Sequence, residues 1–395
     1  MKLLFTLITF LSLNTFYAQD YKGLSQGQAA QKNYLTTVPY TLTRDKIIVQ
    51  ASINNKTYNF LFDTGAPTAL TAAVAKELGL TAMRNLEIKD ANNVADSLPV
   101  VTLNNLKIGT VTFNGVPALI VDNLGPLDCL KIDGFIGSNV LRKSVVQITP
   151  GNKTITITDV AKNLKLSRKN AVKMFVEPGQ ASPLVSINLL TDNMDADETV
   201  LLDTGMSGFY DLATGVYDNA KQYNLFTTLA QATGFYSLGL YGAAKSDLQY
   251  KVNVPELAIG KFGFKNVMST TTSDVRSRIG VEILKYGNIT LDYLNGRFYF
   301  EPFDDKQSAD LTEKSWPFIP IIKDDKMLIG IVWDAALAGK VDAGDEILSF
   351  GDNNFEGLDV CQKLFFEIKS VSDNAALVIK DAETGEVRTL QVSKE

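Results

Sequence analysis

FLFDTGA at residues 60–66 and VLLDTGM at 200–206 are one phrase written twice. In each, an apolar run ends in aspartate, then threonine, then glycine, and the two aspartates, Asp63 and Asp203, stand 140 residues apart. The surroundings repeat as well. LKIGTVTFNGV at 106–116 matches LAIGKFGFKNV at 257–267, and FIGSNVL at 135–141 matches RIGVEIL at 278–284. The last offset, 143, also carries Ile148, Ile155 and Ile157 onto Leu291, Phe298 and Phe300, with turn-forming PGNK in one copy and LNGR in the other. Four blocks in the same order identify an internal duplication.

Each copy reads as β. Ala51 and Ile53, then Tyr58, Phe60 and Phe62, alternate on either side of an Asn-Asn-Lys turn, the period of a half-buried hairpin. PLVSINLL followed by ETVLLD repeats that arrangement. Helical signals are few, at 68–80 and 209–223. The expected fold is mainly β, with two β-barrel lobes, 40–158 and 170–303, related by a pseudo-twofold axis. TDVAKNLKLSRKN is polar and basic enough to connect them, and FDDKQSADLTEKS at 303–315 ends the repeat. Residues 316–395 have no upstream counterpart. Their short strand candidates and a possible helix at 360–369 read as a small α+β module.

The chain has 395 residues, 38 basic and 44 acidic side chains, a formal net charge of −6, and no histidine. That absence excludes Ser-His and Cys-His nucleophile pairs, His-liganded zinc and His-ligated haem. The mild acidity offers no basic surface for phosphates, so nucleic acid is not an expected partner. Lys2, the apolar run from Leu3 to Leu13 and the small residue Ala18 read as a secretory signal peptide over 1–18. The run is short for a membrane span of about 20 residues, and no cysteine follows it to carry a lipid anchor. Export to a periplasm or the medium is the expectation, with no membrane anchor. The polar stretch at 19–34 reads as a propeptide or a disordered arm, the arm being the preferred reading. Cys129 and Cys361, 232 positions apart, read as two buried thiols, since their spacing gives no reason to pair them.

The chemistry must come from Asp63 and Asp203. Alone, Asp-Thr-Gly is a common turn in which aspartate bonds its own backbone. Duplicated in matched surroundings, it places two carboxylates at the rim of a dry core, with Gly65 and Gly205 permitting tight turns and Thr64 and Thr204 offering hydroxyls for bracing. If the turns meet on the pseudo-twofold axis, two carboxylates about 3 Å apart cannot both be charged, and they share a proton. One then serves as base to a water and the other as acid to a carbonyl oxygen. No metal is expected, because two turns supply too few oxygens for a hard cation; no cofactor is required.

At these residues the chain resembles the aspartic peptidases of the retropepsin and pepsin type, over roughly 45–303. In that family each lobe carries Asp-Thr-Gly and, downstream, a hydrophobic-hydrophobic-Gly segment beneath it. Phe135-Ile136-Gly137 fits; Arg278-Ile279-Gly280 replaces one hydrophobic position. The resemblance implies two acid-protease lobes, a catalytic dyad of Asp63 and Asp203, hydrogen bonds from Thr64 and Thr204 across the lobe interface, a hairpin flap, a peptide or protein substrate, and a monomer that is an internal pseudo-dimer. Ala66 follows the family pattern after glycine, whereas Met206 departs from it. Candidate flaps are 84–100 and the glycine-rich GFYSLGLYGA at 234–243, where Tyr236 or Tyr241 either faces substrate or, as aromatics on a strand more often do, packs.

AGKVDAGDEILSFGDNN resembles the Gly-Asp-Glu-Ile-Leu turn and strand of PDZ domains, covering 320–395, although EKSWPFIPI at 313–321 lacks the glycine of the usual carboxylate-capturing loop. The leading expectation is an exported single-chain aspartic endopeptidase with a C-terminal PDZ-like domain over 316–395. The rival is a catalytically silent module that binds peptides or envelope proteins, for which Met206 and Arg278 are the departures.

Overall fold

The computed structural model describes residues 23–90, 94–235, 238–239, 242–243 and 245–395. The expected signal peptide, and Tyr236 and Tyr241 of the second flap candidate, lie outside the described residues. The chain is mainly β, as its alternating pattern predicts.

In the first copy, Lys46–Ile53 and Lys56–Asp63 form a hairpin with Ile48 opposite Leu61 and Ile53 opposite Lys56. Its two-residue turn, Asn54-Asn55, has φ of 51° and 68°. Such a turn needs positive φ at both positions, which asparagine tolerates better than most residues. Ile47, Val49, Ala51 and Ile53 alternate inward and are buried. Gly134–Gly137 then runs parallel to the second strand, with Phe135 opposite Leu61 and Gly137 opposite Asp63, and antiparallel to Ala69–Thr71. The second copy repeats this. Arg278–Ile279 runs parallel to Asp195–Leu202 and antiparallel to Tyr210–Ala213, with Ile279 between Leu202 and Tyr210. Each copy also carries a short helix at the expected place, Ala72–Glu77 and Thr214–Ala220.

A six-stranded antiparallel sheet joins the copies. Its order is Leu35–Thr43, Thr154–Thr158, Val145–Thr149, Gly287–Asp292, Arg297–Pro302 and Ala171–Val176. At its centre Gln147 lies opposite Thr290. These positions are separated by the 143-residue offset of the repeat, so the approximate twofold axis passes between them. Ile148 and Leu291, beside them, have no exposed surface and belong to one apolar core that runs through both copies. Phe262, Phe264 and Phe300 stack edge to face within it, their ring centres 5.0–5.4 Å apart.

Two expectations are corrected. Residues 23–34 are docked and not a free arm: Leu24 is fully buried beside Leu61 and Phe135, and Gln28–Ala29 pairs with the Val111–Asn114 strand. Apolar burial of Leu24 and the carbonyl contact it receives from Asn139 Nδ2 at 3.1 Å tie the segment down. Cys129 and Cys361 are not thiols but a disulfide, with Cα atoms 5.2 Å apart. The long-range fold brings them together, which is why spacing gave no hint.

That bond reaches into the C-terminal residues, where Phe318–Lys323, Lys326–Val332, Glu346–Phe350, Asn374–Lys380 and Val387–Ser393 form an antiparallel sheet, with Asn353–Asn354 beside the third strand. Trp316, Phe318, Phe350 and Leu377 fill a separate core. The helix Val360–Leu364, which carries Cys361, starts at a capping box formed by Asp359 and Gln362. Other contacts join this unit to the duplicated part. Arg44 Nη2 donates to Leu364 O at 2.6 Å, its Nη1 pairs with Glu367 at 3.2 Å, and Phe235 N donates to Gly330 O at 2.7 Å.

Candidate active site

The strands ending at Asp63 and Leu202 deliver the two Asp-Thr-Gly turns to the axis. Thr64 Oγ1 donates to Leu202 O at 2.6 Å, and Thr204 Oγ1 donates to Phe62 O at 2.7 Å. Each hydroxyl also accepts the other threonine's N–H, at 3.0 and 3.1 Å. This reciprocal set is almost wholly buried, with Thr64 0% and Thr204 1% exposed. All four groups are satisfied, so the brace is favourable where an unpaired polar group would be costly.

The brace brings the aspartates together. The Asp63 and Asp203 carboxyls lie within hydrogen-bonding reach of each other. Asp63 Oδ1 accepts the N–H groups of Gly65 at 2.8 Å and Ala66 at 3.1 Å; Asp203 Oδ1 accepts that of Gly205 at 2.9 Å. Burial first, and the neighbouring Asp203 second, push the Asp63 carboxyl up to about 7, against the opposing pull of Lys46 and the Gly65 N–H. A carboxyl that holds its proton near neutrality, beside a second carboxyl, can act as an acid while its partner acts as a base.

Gly65 and Gly205 earn a different explanation from the one turn chemistry suggests. Neither has positive φ. Each instead lies against the opposite aspartate: a Cβ on Gly65 would sit 2.6 Å from Asp203 Cγ, and one on Gly205 would collide with Asp63 Oδ2. Close approach of the carboxyls is what requires glycine. Gly137 and Gly280 lie under the turns, where a Cβ would strike the backbone of Ala66 and Pro67 or of Met206 and Gly208. The residues after them lock the turns: Ser138 N donates to Ala66 O at 3.0 Å and Val281 N to Met206 O at 2.9 Å. Met206 thus serves through its carbonyl as Ala66 does. Its N–H, however, turns to the Asp203 main-chain oxygen at 3.1 Å and not to the carboxylate.

Several site residues have no signal in the sequence. Lys46, at the start of the first hairpin, donates from Nζ to Gly205 O, while Gln180 Nε2 donates to Gly65 O at 3.1 Å from the other copy. Burial pulls the Lys46 ammonium down, and Asp203, Asp63 and Asp45 oppose that. Arg278 reaches Asp203 Oδ2 at 3.6 Å, Asp211 at 3.2 Å and Asp274 at 3.7 Å. Its cationic place beside the dyad accounts for the one departure from the apolar pattern of its segment. Asp274 stands four residues before it in the chain, whereas only the fold brings in Asp211, 67 residues away.

The sequence model of a family described as aspartyl protease matches residues 49–140, a window that holds Asp63, Thr64, Gly65 and Gly137. Among solved structures, a retropepsin-like aspartic protease from Rickettsia conorii is similar to this chain, with 20% identity over 33% of this chain and 94% of that one and a TM-score of 0.24. None of the curated proteins matches. The first copy is therefore similar to aspartyl proteases at the level of sequence pattern.

Proposed function

We propose that the chain is an exported aspartic endopeptidase that hydrolyses peptide bonds with a water activated between Asp63 and Asp203. The observation that carries this reading is the meeting of the two carboxyls across the reciprocal threonine brace. The charged carboxylate takes a proton from water as the water oxygen bonds to the substrate carbonyl carbon, and the protonated carboxyl gives its proton to the carbonyl oxygen. The resulting diol then breaks its C–N bond. The leaving nitrogen takes a proton from the first carboxyl, and the diol returns one to the second, so the products are an acid and an amine and the dyad is restored. No metal, cofactor or covalent intermediate enters these steps.

In this reading residues 40–158 and 170–303 are the two lobes and 316–395 is a PDZ-like domain. The Cys129–Cys361 disulfide supports export, because such bonds persist in oxidising compartments. The test is cleavage of a mixed peptide pool by the full chain and by Asp63→Asn and Asp203→Asn. Each variant should lose cleavage while keeping the wild-type circular dichroism spectrum; equal cleavage by the double variant overturns the assignment.

A second reading, a silent peptide-binding protein, is favoured by Arg278, whose ion pair with Asp203 opposes a freely shared proton. It requires that peptides bind and stay intact through long incubation between pH 3 and 8.

A further inference from the structure

The surroundings of the two aspartates are unequal, and the inequality has a direction. In the first copy, the residue two before the buried glycine is Phe135, which packs among Leu61, Leu98 and Leu119. Its counterpart across the 143-residue offset is Arg278, whose guanidinium lies 3.6 Å from Asp203 Oδ2 with only 8% of the side chain exposed. The backbone donors are unequal too. Asp63 Oδ1 receives two N–H groups and Asp203 Oδ1 receives one, so the guanidinium faces the oxygen of Asp203 that the turn leaves to other donors.

We propose that Arg278 is a positioning residue that holds the dyad's single negative charge on Asp203 and leaves the shared proton on Asp63. Asp203 is then the base toward water and Asp63 the acid toward the carbonyl oxygen. This assignment rests on the dyad reading above.

The charged groups around Asp203 are Asp63 across the dyad, Lys46 with Asp45 on the first copy's hairpin, and Arg278, Asp274 and Asp211 on its own copy. Lys46 acts on both aspartates, on Asp203 ahead of Asp63, and so leans the same way as Arg278. Of the two aspartates, the ion pair of Arg278 among the described residues is to Asp203, and Asp211 and Asp274 share that charge at 3.2 and 3.7 Å. The proton retained by Asp63 toward neutrality agrees with this division. Beyond this layer, Glu198 is occupied by Tyr210, whose hydroxyl donates to it at 2.6 Å.

The experiment is a carboxyl-carbon NMR titration of the full oxidised chain labelled at aspartate, run beside the pH profile of kcat/KM on the peptide pool. The two resonances are identified by their loss in Asp63→Asn and Asp203→Asn. In the wild type the Asp63 carboxyl should be the one that keeps its proton into the later step. Arg278→Met should move both steps, and both limbs of the rate profile, upward by about one pH unit or more, since an opposite charge at this range lowers a carboxyl by roughly 1–3 units. Arg278→Lys keeps the charge and should stay near wild type. Asp211→Asn frees more of the guanidinium for Asp203 and should move the steps downward.

A wild type that ionises first at Asp63 overturns the assignment, as do Arg278→Met limbs that lose height without moving. If Arg278→Met does not fold, an unmoved or upward shift in Asp211→Asn overturns it equally. The expected titration without cleavage would refute the peptidase reading alone; cleavage with the order reversed would refute the charge assignment alone.

Discussion

Asp63→Asn should stabilise the protein at pH 8 while abolishing its proposed activity, and the two effects come from one cause. Enclosed beside Asp203, Asp63 holds its proton up to about 7, against an ordinary value of 3.8. A carboxyl raised in the folded state contributes stability that is complete below its unfolded value and disappears as the pH climbs through the folded one. Between pH 4 and 8 the wild type should therefore lose about 4 kcal/mol from this group, three units at roughly 1.4 kcal/mol each. Asparagine does not ionise, and its side-chain oxygen can still accept the Gly65 and Ala66 N–H groups now at 2.8 and 3.1 Å. The variant should match the wild type within about 1 kcal/mol at pH 4 and exceed it by roughly 3–4 kcal/mol at pH 8. Guanidinium unfolding at pH 4, 6 and 8 measures this, followed by far-ultraviolet circular dichroism. Tryptophan fluorescence would report elsewhere, because both tryptophans, Trp316 and Trp333, belong to the C-terminal sheet region. A stability difference that is the same at pH 4 and pH 8 would refute the reasoning, since it would mean that Asp63 behaves as a solvated carboxylate.

Thr64→Val keeps the shape of the brace but strands Leu202 O and Thr204 N, both now bonded to the hydroxyl at 2.6 and 3.0 Å. The expected loss is roughly 2–6 kcal/mol, at about 1–3 for each buried unsatisfied group, and an unfolding midpoint equal to wild type would contradict it. Replacing Cys129 and Cys361 together by serine opens a loop of 232 residues. The chain-entropy relation puts the loss near 5 kcal/mol, and protease nicking should then begin in the 303–395 region. An unchanged midpoint and nicking pattern would show that the other contacts, led by Arg44 with Leu364 O and Glu367, hold the C-terminal sheet unaided.

What the sequence made legible was whatever is local or repeated. The alternation of Ile47, Val49, Ala51 and Ile53 marks a half-buried strand because side-chain direction reverses at every residue. The second Asp-Thr-Gly gives meaning to the first because duplication supplies the symmetry that a single turn lacks. The rest was hidden by distance along the chain. Lys46 is an ordinary lysine at the start of a strand until its ammonium is seen against Gly205 O, 159 residues away. Cys129 and Cys361 carry no spacing signal because tertiary closure alone sets their 5.2 Å separation. Leu24 looks like part of a polar arm until its cluster is assembled around it.

The same duplication explains why the site can be asymmetric at all. Two identical chains meeting on a twofold axis must give their aspartates equal surroundings, and any preference for proton position then has to come from substrate. Here each half is encoded separately. Gly205 O is held by the cation Lys46 and Gly65 O by the neutral amide of Gln180. The position below one dyad member is Phe135 and below the other Arg278; the residue after glycine is Ala66 in one turn and Met206 in the other. The brace of Thr64 and Thr204 stays reciprocal, because the axis needs both halves to close. Strict symmetry survives where it holds the carboxyls together, and divergence collects where it can decide which of them keeps the proton.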